Sequence, residues 1–135
     1  ERVRDHIART APASRHLEMV FGAVAPGQAE VSMRVQGHML NGLGTCHGGM
    51  ISTLADTAFA VACNNRNVAT VASSFSIDFI RPAREGDTLI ARAVERNQGQ
   101  RLGLYDVEVH NQSGEVIAVF RGHAYSLKGQ AAIPE

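Results

Sequence analysis

The sequence predicts an α+β domain in which one antiparallel sheet wraps around a single long helix. The stretch from Met50 to Asn64 is rich in Ala, Leu, Met and Ile, contains no Gly or Pro, and is apolar on nearly every side, which is typical of a buried helix. Strand-like segments lie on both sides of this stretch. The last of them are joined by turns so short that consecutive strands must be antiparallel neighbours. One sheet around one helix is the simplest architecture that buries both.

Before the central helix, the pattern predicts a short helix and a hairpin. The apolar spacing of the first dozen residues indicates a helix that ends before Pro12. Residues 17–24 and 29–35 are strand-like and flank Pro26-Gly27, a dipeptide suited to a turn.

After the central helix, four strands are predicted. The first alternates with period two and stops at Pro82, with Val71, Ser73, Phe75, Ile77 and Phe79 on one face and Ala72, Ser74, Ser76 and Asp78 on the other. The other three are predicted at residues 87–96, 101–110 and 115–127. With no internal repeat or linker, we expect a single domain over residues 1–135, with a helical extension over 1–16 and a loose tail over 128–135.

Composition narrows the class of partners. The 13 basic and 13 acidic residues balance, so no broad electrostatic field favours nucleic acid or an anionic membrane. No apolar run is long enough to span a bilayer, and the charged start lacks the apolar run of a signal peptide. The two cysteines are too few for a disulfide framework. We therefore expect a soluble protein of the cytoplasm.

Asp56 is the only charged residue between Gly48 and Asn65. A carboxylate on an otherwise apolar buried helix costs several kcal/mol unless it is hydrogen-bonded, solvated or protonated. One interpretation is a functional group whose pKa is raised by desolvation. The other is a structural Asp bonded to Ser52, Thr53 or nearby backbone.

A glycine-rich segment leads directly into this helix, with five glycines at positions 37, 42, 44, 48 and 49. Free N–H groups at a helix N-terminus carry partial positive charge, and the absence of a Cβ at Gly48 and Gly49 lets a carbonyl oxygen approach closely. This pattern outlines an oxyanion hole, although glycines that merely cap and pack the helix would look the same.

Gly48 and Asp56 are eight residues apart, or roughly 12 Å along a helix. One chain cannot bring both to one reacting atom. If they act together, the helices of two subunits must lie antiparallel, so that each Asp56 faces the partner's Gly48 across a two-fold axis.

Several motifs together resemble the phenylacetate-degradation thioesterases of the hot-dog superfamily. The resemblance covers about residues 15–127 and is most specific where His-Gly-Gly is followed seven residues later by Asp on an Ala-rich helix. The matching segments are NGLGTCHGG at 41–49, LADTAFA at 54–60, ACN at 62–64, SIDF at 76–79, RPA at 81–83 and YDV at 105–107. Leu43 departs from the pattern, since many relatives have His there.

The resemblance implies a hot-dog fold, a homodimer whose sheets join, usually paired again into a homotetramer, and hydrolysis of acyl-CoA thioesters without a metal or redox cofactor. It implies that Asp56 is the general base or nucleophile and that the Gly48 N–H polarises the thioester carbonyl. Asn41 would orient the water or the carbonyl, His47 would position the thioester, and Ser74 would hold the attacking water. The acyl group would be an arylacetyl group such as phenylacetyl or hydroxyphenylacetyl.

Further residues are candidates for substrate binding. Gly49 lies beside the expected oxyanion donor, and Ser73 is adjacent to Ser74, so strand alternation lets only one of the two serines face the site. Arg81, Arg84 and Arg101 suit the phosphates of CoA, although most arginines are simply solvated. Met50, Phe59 and Phe79 are candidates for the acyl pocket, with core packing the simpler role for each.

Other site chemistries and functions fit less well. A Cys46-His47 nucleophile pair is disfavoured because adjacent residues in a tight turn seldom aim their side chains at each other. A zinc site from His38, Cys46, His47 and Asp56 has no familiar ligand spacing. A non-catalytic acyl-CoA binder and a hydroxyacyl-thioester dehydratase of the same fold stay open as alternatives, although the dehydratase would need a histidine on the central helix.

Overall fold

The computed structural model describes residues 1–127 and 129–133. The helices are α1 (Arg2–Thr10), α2 (Pro12–His16) and α3 (Gly48–Asn64), with a 3-10 turn at Gly37–Met39. The strands are β1 (Val20–Ala25), β2 (Gln28–Arg34), β3 (Thr70–Phe79), β4 (Thr88–Gln98), β5 (Leu102–His110) and β6 (Val116–Ser126). The predicted strands and the central helix are all present, with ends that differ from the predictions by at most three residues.

The six strands form one sheet in the order β1-β2-β4-β5-β6-β3, and every pairing is antiparallel. Helix α3 packs against five of the strands. Its apolar side chains meet the inward-facing residues of the sheet in a single core, because neither layer can bury its apolar face alone. The predicted architecture of one sheet around one buried helix is confirmed.

Phe59 lies at the centre of this core. Its ring is only 1% exposed and packs at a tilt against Tyr105 and Phe120, with ring centroids 5.5 and 5.7 Å away. A Cβ at Gly122 would lie 2.9 Å from the ring, so the neighbouring strand is already in close contact with it. The interpretation of Phe59 as a substrate-binding residue is wrong, because its surface is covered by the core.

Truncating Phe59 is therefore expected to destabilise the fold. We expect Phe59→Ala to lower the free energy of unfolding by about 3–5 kcal/mol, the usual cost of removing a buried aromatic side chain. Chemical denaturation measures this change, and Phe75→Ala on the half-exposed surface of β3 provides the comparison. A cost for Phe59→Ala no larger than that for Phe75→Ala would contradict the assignment to the core.

Strand β3 lies at one edge of the sheet and pairs only with β6. Several of its large apolar side chains are partly exposed, with Val71 at 48%, Phe75 at 44% and Phe79 at 50%. An edge strand presents unpaired N–H and C=O groups, which allow another strand to pair with it. The edge next to the central helix is thus both apolar and open.

The C-terminal segment differs from its prediction. The Ala69 N–H donates to the Gln130 carbonyl at 2.9 Å, and the Ile133 N–H donates to the Asn67 side chain at 2.8 Å. Ile133 is buried. Residues 129–133 therefore pack against the loop that follows α3, and the prediction of a loose tail is wrong for them, while Lys128 and residues 134–135 lie outside the described residues.

Within the described residues, the structure contains no helix with the length and apolarity required to cross a membrane.

Candidate active site at the start of the central helix

His47 is the N-cap of α3. Its Nδ1 accepts a hydrogen bond of 2.9 Å from the Gly49 N–H, and its own N–H donates to the Met39 carbonyl at 2.8 Å. Because Nδ1 is an acceptor in this bond, a neutral His47 ring has its proton on Nε2. The side chain is exposed and can donate that proton in a hydrogen bond to a ligand.

Gly48, the first residue of α3, has an N–H group that donates no hydrogen bond within residues 1–127 and 129–133. Such a group carries part of the positive end of the helix dipole. The N–H of Gly49, in contrast, is occupied by His47. One N–H at this helix start is thus free to bind a carbonyl oxygen, and it belongs to Gly48.

A pocket of about 340 Å³ opens beside Gly48. It contains three of the predicted site residues, namely Asn41, Gly48 and Arg81. Phe79, a sequence candidate for the acyl pocket, also lines it, as does Cys46, which was considered as a nucleophile. The remaining lining residues were not assigned to the site from the sequence, and they are Thr45, Ile51, Ile80 and Pro82. Ile80 and Pro82 come from the turn after β3, which packs beside the start of α3 only in the folded chain.

Asn41 holds the loop that forms one side of this pocket. Its Oδ1 accepts from the N–H groups of Leu43 at 2.9 Å and Thr45 at 3.2 Å, and its Nδ2 donates to the Thr45 hydroxyl at 3.0 Å. Gly44 closes the loop at φ +80°, a conformation that favours glycine. The side chain therefore stabilises the conformation of the loop, and the second N–H of its amide is left to bind a ligand.

Asp56 lies two turns further along α3 and is partly buried. The hydroxyls that could have bonded to it donate elsewhere, Ser52 to the Gly48 carbonyl and Thr53 to the Gly49 carbonyl, each at 2.8 Å. Among the described residues, no hydrogen bond or ion pair reaches the Asp56 carboxylate, and burial raises its pKa above the usual 3.8. The structure therefore gives no support to the interpretation of a tied structural Asp.

The structure does not bring Asp56 into the pocket at Gly48. The two residues belong to the same straight run of helix, roughly 12 Å apart along its axis. Asp56 is absent from the lining of that pocket. A single chain therefore presents the carboxylate and the free N–H as two separate half-sites.

The two serines lie at a β-bulge in β3. Ala72 pairs with buried Ala124, whereas Ser74 pairs with exposed His123, and Ser73 is the extra residue between them. Directly opposed side chains share one face of a sheet, so Ser74 lies on the face turned away from the core and α3. The role that the resemblance implies for Ser74, to hold the attacking water, therefore finds no support in the geometry of this chain, where Ser74 lies on the face opposite Phe75 and Phe79.

Ser73, Arg81 and Arg84, three candidates for substrate binding, differ in their hydrogen bonds and in their position relative to the pocket. The Ser73 hydroxyl donates to the His123 carbonyl at 3.1 Å. Arg81 lines the pocket, and its guanidinium donates to the Val116 carbonyl at 3.2 Å. Arg84 is exposed on the following turn and is not part of that pocket. Arg81 is therefore the better placed of the two arginines for a ligand phosphate.

Cys46 also lines the pocket, and burial raises the pKa of its thiol to about 11. At neutral pH the group is a thiol, whereas a nucleophile must be a thiolate. The structure thus gives no support to a Cys46-His47 nucleophile pair.

Known proteins are similar to this chain over most of its length. The thioesterase superfamily model matches residues 43–118, which include α3 and most of the sheet. Acyl-coenzyme A thioesterase PaaI of Escherichia coli is 50% identical over 103 residues, or 76% of this chain and 74% of the relative. Human acyl-coenzyme A thioesterase 13 is 31% identical, covering 78% of this chain and 81% of the relative.

A solved structure gives the same result for the fold. The E. coli PaaI protein from the phenylacetic acid degradation operon superposes with a TM-score of 0.91 and 42% identity, covering 94% of this chain and 93% of that protein. The prediction of a hot-dog fold is thereby confirmed. On the sequence match, the shared fold and the similarity to named thioesterases, the chain belongs to the thioesterase superfamily.

Proposed function

We propose that this protein hydrolyses acyl-CoA thioesters, preferably arylacetyl-CoA such as phenylacetyl-CoA or hydroxyphenylacetyl-CoA, to the free acid and CoA. The observation that supports this most is the pair of unoccupied groups on α3, a partly buried Asp56 carboxylate and a free Gly48 N–H. The names of the E. coli and human relatives support acyl-CoA as the substrate class. The operon of the E. coli protein favours an arylacetyl group.

The active unit in this proposal is at least a homodimer, which is free to pair again into a tetramer. The open, apolar edge of β3 suits pairing with the same edge of a second chain. An isologous contact of this kind sets the two α3 helices antiparallel. Each Asp56 then faces the partner subunit's Gly48, and two equivalent sites form.

In each site, the carbonyl oxygen of the thioester accepts a hydrogen bond from the Gly48 N–H. The Asp56 carboxylate of the other chain takes a proton from water as the water attacks the carbonyl carbon, or attacks that carbon itself to give an anhydride that water then cleaves. The carbon–sulfur bond breaks and CoA leaves as a thiolate, which is a good leaving group. His47 and Asn41 orient the thioester through their remaining N–H groups.

The proposal is tested by a thiol-release assay over a panel of acyl-CoAs. We expect free CoA to appear with phenylacetyl-CoA and hydroxyphenylacetyl-CoA, at higher kcat/KM than with linear acyl-CoAs. Binding of acyl-CoA without release of CoA would instead identify a binding protein. Conversion of a hydroxyacyl-CoA into an enoyl-CoA, with loss of water and with the thioester kept intact, would identify a dehydratase, although α3 contains no histidine for that reaction.

A further inference from the structure

We infer that Phe79 is a specificity-determining residue, an aromatic wall beside the oxyanion donor that favours arylacetyl thioesters over linear acyl thioesters of the same carbon number. The inference rests on the proposed hydrolysis and adds to it the residue that distinguishes the acyl groups.

Phe79 is the last residue of β3, and its backbone pairs with that of Ala118. Ala118 is fully buried, so the two side chains face the same side of the sheet as α3. A Cβ built on Gly48 would lie 3.0 Å from Cζ of Phe79 and 3.4 Å from each Cε. The tip of the ring therefore points at Gly48, on the side where a Cβ would lie.

The rest of the ring is available to a ligand. Phe79 is 50% exposed, although it faces the core side of the sheet. Among the nine described residues that line the pocket, Phe79 is the only aromatic one, and its apolar neighbours Ile51, Ile80 and Pro82 are aliphatic. Because Phe79 lines the pocket, exposed surface of its ring is turned toward the space beside Gly48.

The chemistry of an arylacetyl thioester fits this arrangement. One methylene separates the aromatic ring of the substrate from its carbonyl carbon. When the carbonyl oxygen is bound at the Gly48 N–H, the substrate ring therefore lies within a few ångströms of the carbonyl and within reach of Phe79. Aromatic pairs favour offset or edge-to-face arrangements with centroids about 4.5–7 Å apart, and a linear acyl chain cannot form such a pair.

The test compares kcat/KM for phenylacetyl-CoA and octanoyl-CoA, which have equal numbers of carbons in the acyl group. For Phe79→Leu we expect the ratio of the two values to fall about three- to tenfold, the effect of losing one aromatic pair. Phe79→Tyr, which keeps the ring, should preserve the ratio. Phe75→Leu is the matched control, because Phe75 belongs to the same strand, is similarly exposed and stacks on Phe120 outside the pocket.

Two outcomes would overturn the inference about Phe79 without contradicting the proposed function. A ratio unchanged in Phe79→Leu would show that the ring does not distinguish acyl groups. An equal fall in kcat/KM with both substrates, caused by a higher KM, would mean that the ring contacts the CoA portion that the two substrates share. If Phe79→Leu unfolds below the assay temperature, the same ratio of kcat/KM values is measured for Phe79→Met, which also lacks the aromatic ring. Absence of thioester hydrolysis by the unmodified protein would instead contradict the proposed function itself.

Discussion

Asp56→Asn is expected to reduce kcat for thioester hydrolysis at least about a hundredfold, because a positioned general base contributes about 10² to 10⁴ in rate. Asparagine has the shape of aspartate but cannot accept the proton of the attacking water or attack the carbonyl as an anion. The KM should change little, since the carboxylate acts on the reacting atoms and not on the CoA portion. Steady-state thiol release measures both parameters.

The fold of Asp56→Asn should be preserved. Burial raises the pKa of Asp56 in the folded protein, so folding favours its protonated form. The resulting contribution to stability is present below the pKa of the unfolded chain and is lost as pH rises through the raised folded pKa. At neutral pH the neutral amide should therefore be at least as stable as the carboxylate. Turnover retained at the unmodified rate in Asp56→Asn would contradict the mechanism.

The raised pKa of Asp56 also predicts how kcat/KM for thioester hydrolysis changes at acidic pH. Asp56 must be ionised to act, so kcat/KM should rise with pH through the raised pKa of this carboxyl, at a higher pH than an ordinary Asp would give. The residual activity of Asp56→Asn should lack that limb. An identical acid limb in both proteins would assign the titration to another group.

Gly48→Pro is expected to have the second largest effect, a loss of about 10² to 10³ in kcat relative to Gly48→Ala. Proline removes the N–H and is tolerated at the first position of a helix. His47 at φ −60° and ψ 133° already has the extended backbone that a residue before proline adopts. The substitution therefore removes the proposed oxyanion donor while leaving the helix start in place.

Gly48→Ala is the matched control for this experiment. Alanine keeps the N–H and adds a Cβ that meets the Phe79 ring at 3.0 Å, and proline adds a Cβ at the same position. The crowding of Phe79 by a Cβ is thus common to both variants, and circular dichroism checks that helix content is retained. Equal kcat values for the two variants would mean that the Gly48 N–H does not stabilise the transition state.

The sequence was sufficient to predict the fold and to single out the two groups on which the proposed mechanism depends. The apolar run of α3 and the alternating strands follow from burial, and a lone Asp56 on such a helix is conspicuous because an unpaired buried charge is costly. The free N–H of Gly48 follows from its place at a helix start.

The sequence could not predict the features that depend on local geometry. The bulge at Ser73 adds one unpaired residue to β3 without any composition signal, and it places Ala72 and Ser74 on opposite faces, where regular alternation would give them the same face. Phe59 and Phe79 have the same side chain, and only the packing of the sheet on α3 shows that one fills the core while the other reaches the pocket. Ile133 likewise docks by a tertiary contact, which no pattern in the short segment around it indicates.

The central claim is that each site combines Asp56 of one chain with Gly48 of its partner, and mixing two inactive variants tests it most directly. Asp56→Asn and Gly48→Pro are unfolded together in equal amounts and refolded. In random dimers, half are hybrids with one intact site of two, so we expect about a quarter of the unmodified activity. Activity no higher than the sum of the separately refolded variants would contradict a site shared between two chains.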